Sequence, residues 1–112
     1  MIRERRQVPR YSANLNGRLL VEGSTHSVVV EDLGVFGCSL NYAPPMTPIQ
    51  ECELAIEWEG RHFRTQALVA WIKAQSKVGL RFHGTDAENQ ELLRRVCSEL
   101  RMKPLVRLKD DG

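Results

Sequence analysis

Four arginines, Arg3, Arg5, Arg6 and Arg10, fall within eight positions near the start of the chain, opposed there only by Glu4. A guanidinium is planar and permanently charged; it forks two hydrogen bonds onto phosphate oxygens, and its flat face stacks on a purine. Beside Pro9, such a cluster suits a nucleotide clamp, the bland counterpart being a basic terminus without a partner. The second chemically suggestive stretch, Asp32-Leu33-Gly34-Val35-Phe36-Gly37, follows an apolar run and carries two glycines three residues apart. Glycine there permits positive φ and close backbone approach to a ligand, while the Asp32 carboxylate can accept two hydrogen bonds from one guanine edge. Asp and Gly also dominate ordinary strand connections, so this turn alone does not choose between the two uses.

Enzyme chemistry finds little support. His26, His62 and His83 are scattered over expected strands and turns, and none stands at a recognisable motif spacing from a Ser, Cys or carboxylate. Cys38, Cys52 and Cys97 are an odd count at wide spacing with no C-x-x-C pair, which fits reduced packing residues better than a disulfide framework or zinc site. No P-loop, H-E-x-x-H or G-x-G-x-x-G pattern is present. The expectation is a binding protein with no catalytic residue, no metal and no cofactor.

The elements that would hold these groups read as strands. Glu51 to Glu59 alternates Cys52, Leu54, Ile56 and Trp58 with four glutamates, one face for a core and one for water. Glu59-Gly60 marks a turn into a long strand, roughly Arg61 to Ala74, with Phe63, Ala67, Val69 and Trp71 on one face. The chain then turns at Gln75-Ser76-Lys77 into Val78-Gly79-Leu80-Arg81-Phe82. Leu15 to Val21, Ser27 to Leu33 and Gly37 to Asn41 supply three more strands, and the prolines in Ala43 to Pro48 make that stretch a loop. Six strands should close or nearly close, because an open edge invites aggregation.

After His83 the period changes. Thr85-Asp86-Ala87-Glu88 has the form of a capping box, and Leu92, Val96 and Leu100 recur at helical spacing with Leu93 and Cys97 beside them. Pro104 should end this helix near Lys103. The fold class is thus all-β with a C-terminal helix, a six-stranded antiparallel β-barrel. Its expected division is a flexible arm over 1–13, the barrel with its closing helix (about 86–103) over 14–103, and a tail over 104–112.

A chain of 112 residues with 42% hydrophobic and 27% charged residues suits one globular domain. Apolar runs such as Ala67 to Ile72 fall far short of the roughly 20 residues that cross a bilayer, and Met1 to Arg6 has no apolar stretch behind it, so the cytoplasm is expected. A nucleic-acid-binding barrel is disfavoured: the net charge is only +2, aromatic residues make up 6%, and the glutamate-lined strand would repel phosphates.

Together, Arg6-Gln7-Val8-Pro9-Arg10 and Asp32 to Gly37 resemble the R-x-x-x-R and [D/N]-x-S-x-x-G motifs of the PilZ family. The resemblance continues through the Trp71 strand, the Val78 to Phe82 strand and the closing helix, nearly the whole chain. It implies a six-stranded PilZ barrel that binds cyclic di-GMP, a bacterial second messenger, as a receiver. Arg6 and Arg10 would grip phosphate and guanine, with Arg5 at the position that accompanies binding of a stacked ligand dimer. Asp32 and Gly37 would take the ends of the turn motif around one guanine. At Gly34 the family pattern has Ser, and loss of one hydroxyl contact costs ~0.5–1.5 kcal/mol, up to about tenfold in affinity. The alternative is a PilZ-like protein-interaction module that has lost nucleotide binding. The receiver reading implies a downstream protein partner and a monomer or weak dimer whose arm orders on the ligand.

Overall fold

The computed structural model describes residues 9–74 and 76–111, with side chains through Arg101. Its elements are β1 (Tyr11–Val21), β2 (Ser24–Leu33), β3 (Gly37–Asn41), β4 (Glu51–Trp58), β5 (Arg61–Lys73), β6 (Lys77–His83) and α1 (Ala87–Asp111). All neighbouring strands are antiparallel, and the order β1-β2-β3-β6-β5-β4 closes through the pairing of β1 with β4. This is the expected six-stranded barrel with one C-terminal helix.

Alternation explains the core. Cys52, Leu54 and Ile56 of β4 point inward with Phe63, Ala67 and Val69 of β5, and all six are buried. Phe63 meets Phe82 of β6 edge to face, ring centroids 5.7 Å apart. The helix covers the barrel with Leu93, Val96, Cys97 and Leu100, a stripe three and four residues apart. Cys38, Cys52 and Cys97 are all buried free thiols, packing residues as their spacing suggested.

Three details depart from expectation. Trp71 does not share the inner face with Phe63, Ala67 and Val69. A bulge between Val69 and Trp71 shifts the register, and the side chain lies 38% exposed over the backbone of Gly79, with Lys73 Nζ 5.6 Å from its ring centroid. The helix is capped by Asp86 and not by Thr85: Asp86 Oδ1 accepts from the Asn89 N–H at 2.8 Å, and the Asp86 carbonyl accepts the first helical bond from Gln90. The Thr85 hydroxyl is engaged elsewhere, 2.5 Å from Thr65 Oγ1. Finally, the helical backbone continues through Pro104 to Asp111, past the expected end at Lys103. Proline's fixed φ is itself helical, and its missing N–H removes one ladder bond locally without stopping the helix.

Strand β1 begins at Tyr11, earlier than the expected limit of the arm, pairing Tyr11 with Leu33 and Ser12 with Asp32. This register ties the root of the arm to the turn between β2 and β3.

Candidate functional site

The β2–β3 hairpin pairs Leu33 with Cys38 and Asp32 with Ser39. Leu33 and Cys38 are buried, so strand alternation sends Asp32 and Ser39 outward, side by side. Bulges between Ser12 and Leu15 on β1 and between Val30 and Asp32 on β2 lie beside this pair and set its facing. Arg10 stands two residues before Ser12, on the same side of the extended chain, and reaches across. Its Nη1 donates to Asp32 Oδ1 at 2.5 Å and to Ser39 Oγ at 3.3 Å.

Arg10 and Asp32 thus form an ion pair between side chains 40% and 34% exposed, open to an incoming ligand. Exposed pairs of this kind contribute ~0–1 kcal/mol, so a stronger partner can displace either group. Beneath them, burial pushes the Cys38 thiol well above its ordinary range, the Asp32 carboxylate adds to the rise, and the Arg10 guanidinium offsets part of it. A thiol held protonated in this way is no nucleophile, despite its place under the site.

The turn is closed from within by the Gly34 N–H, which donates to the Gly37 carbonyl at 2.9 Å. Neither glycine has positive φ, contrary to the conformational role expected of them. Both are required for space. A β-carbon on Gly34 would stand 2.6 Å from the Pro9 carbonyl oxygen and 3.4 Å from Arg10 Cδ, and one on Gly37 would run into the Leu80 carbonyl of β6. The close backbone approach that glycine permits is therefore made, at position 34, by the chain's own arm. At the tip, Phe36 is 63% exposed while its carbonyl accepts from the Phe82 N–H at 2.8 Å.

Of the six site residues expected from sequence, the structure brings Arg10 and Asp32 together at the surface with Gly34 and Gly37 buried in the turn beside them, whereas Arg5 and Arg6 lie outside the described residues. Sequence reasoning missed Ser39. Hairpin symmetry would have found it: a turn spanning 34–37 places residue 39 opposite residue 32. Among the described residues no group of His, Cys, Asp or Glu side chains is gathered for a metal, and no helix is long and apolar enough to cross a membrane.

Residues 4–99 match the family model described as PilZ domain. Among solved structures the fold is similar to that of the Bacillus subtilis inhibitor of motility MotI/DgrA, with a TM-score of 0.74 and 19% identity over 87% of this chain and 51% of that one. It is similar also to Escherichia coli YcgR in complex with c-di-GMP, with a TM-score of 0.78 and 16% identity over 96% of this chain and 51% of that one. For the PilZ domain of YcgR with c-di-GMP the TM-score is 0.74 at 18% identity, covering 96% of this chain and 98% of that one. The present chain thus spans about half the length of MotI/DgrA and of the longer YcgR chain. Among curated proteins none matches.

Proposed function

We propose that this chain, which belongs to the PilZ domain family, is a receiver for cyclic di-GMP, the ligand in both YcgR structures. The observation that carries this reading is the junction of its two motif groups, Arg10 donating to both Asp32 and Ser39. A guanine edge presents adjacent N–H donors that suit the Asp32 carboxylate, and a phosphodiester presents acceptor oxygens that suit the Arg10 fork. A dinucleotide offers both at once, so it can insert between the two side chains and exchange one weak ion pair for two charge-assisted contacts. Arg5 and Arg6 would add phosphate and guanine contacts from the same arm; Gly34 lets the root of the arm lie against the turn, and Gly37 lets the turn pack on β6.

In this reading the output is conformational. The arm folds across the barrel as the ligand bridges it to the turn, and the altered surface is what a downstream protein meets. NMR of the arm tests this directly. Backbone mobility over residues 1 to 8, ahead of the root already paired and packed on the barrel, should fall with saturating cyclic di-GMP and stay unaltered with GMP; unaltered mobility with cyclic di-GMP contradicts the switch.

A second reading, a PilZ-like interaction module without nucleotide, draws on exposed Phe36 beside an apolar cleft of about 330 Å³ that includes Val35, Phe82 and Leu93. The two readings separate on whether cyclic di-GMP binds at all.

A further inference from the structure

We propose that α1 supplies a second anion-gripping wall to the nucleotide site, through Arg94 and Arg101, an inference that rests on the cyclic di-GMP reading. A cleft of about 270 Å³ is bounded by Pro9 and Tyr11 of the arm root, Val35 of the turn, and Arg94, Ser98 and Arg101 of the helix. It borders the junction of arm and turn through Pro9, whose carbonyl lies against Gly34, and through Val35, the next residue of the turn. Positions 94, 98 and 101 share one helical stripe, and buried Val96, Cys97 and Leu100 fix that stretch of helix on the barrel.

The charge of the cleft is one-sided. Among the described residues two arginines and the hydroxyl-bearing Tyr11 and Ser98 line it with no Asp or Glu, whereas the larger cleft by Arg61, Arg64 and Arg95 also contains Glu88 and Glu91. Arg94 Nη1 lies 3.2 Å from Glu91 Oε1, with both side chains 63% exposed, an ion pair that a phosphate can displace. Seven residues separate Arg94 from Arg101, about 10 Å along the helix axis at ~1.5 Å per residue. Both nonetheless line the one cleft, so the two long side chains can converge on a single phosphate. One phosphate of the ligand would enter the cleft between them, the rest of it reaching toward the turn.

Calorimetric titration of cyclic di-GMP into the Arg94→Ala/Arg101→Ala double variant tests the assignment, with Arg94→Gln/Arg101→Gln retaining much of the side-chain length without the charge. Both variants should bind about tenfold more weakly than the wild-type chain, the size of one to two exposed charge-assisted contacts. Should the alanine pair lower the melting temperature, the glutamine pair decides. Wild-type affinity in a folded double variant overturns the helix wall, even where Arg10→Ala removes binding and so upholds the motif site. A wild-type chain that binds no cyclic di-GMP overturns the receiver reading and the helix wall with it.

Discussion

The carbonyl oxygen of Pro9 stands 2.6 Å from where the β-carbon of any larger residue at position 34 would be, so the root of the arm and the turn are packed backbone against backbone. Gly34 is the place where this chain departs from the family's serine. The departure removes a hydroxyl from the side proposed to meet the ligand, and it also admits the arm.

Restoring the serine should therefore not simply restore an ideal site. Gly34→Ser must push Pro9 away by several tenths of an ångström and loosen the Arg10–Asp32 pair. We expect ligand-free Gly34→Ser to be cleaved by trypsin after Arg10 faster than the wild-type chain. Equal cleavage rates would show that the contact does not hold the arm root.

Trp71 and Gly79 form a similar couple on the far strands, since a β-carbon at 79 would occupy the indole ring. Gly79→Ala should displace the ring, alter tryptophan fluorescence and cost about 1–3 kcal/mol in urea unfolding, as overpacked sites do. A neutral Gly79→Ala would mean that the ring moves freely.

The helix cap carries a pH signature. Hydrogen bonds from the Asn89 backbone, then from its side chain, hold the Asp86 carboxyl below its ordinary value of 3.8. A group whose folded pKa is depressed stabilises above its unfolded pKa and loses that contribution as pH falls through the folded value. The gap in unfolding midpoint between wild type and Asp86→Ala should be constant near neutrality and narrow below pH 3.8. A gap independent of pH throughout would contradict the capping role.

Burial pushes the thiols of Cys52 and Cys97 up to about 11 in each case, and Cys38 further still. At pH 8 all three should react with a thiol reagent far more slowly in the native protein than after unfolding in urea. Fast native labelling of any one would mark an opening of the barrel near that residue.

Much of this was legible in the chain. The alternation of Cys52, Leu54 and Ile56 with glutamates fixes β4, and the spacing of Val96 and Leu100 fixes the helix face, because each signal is local. Trp71 was misplaced because a bulge adds one residue to the count, and alternation read along a single strand has no sight of its partner. Thr85 lost the cap to Asp86 because Thr65, twenty residues away, holds its hydroxyl. In the site, Arg10 and Asp32 were legible as types that suit a nucleotide. The need for glycine at 34 was not, since it arises from Pro9, a contact made only once β1 and β2 are paired.

The most direct measurement is isothermal titration of cyclic di-GMP into the wild-type chain and Arg10→Ala side by side. The lost ion pair is exposed and should lower stability by less than about 1 kcal/mol, so the variant remains folded and comparable. The wild-type chain should bind at micromolar concentration or tighter, with the molar ratio reporting one or two ligands, and Arg10→Ala should abolish the heat. Absence of binding by the wild-type chain, or binding that Arg10→Ala leaves unchanged, would contradict a receiver built on the Arg10, Asp32 and Ser39 junction.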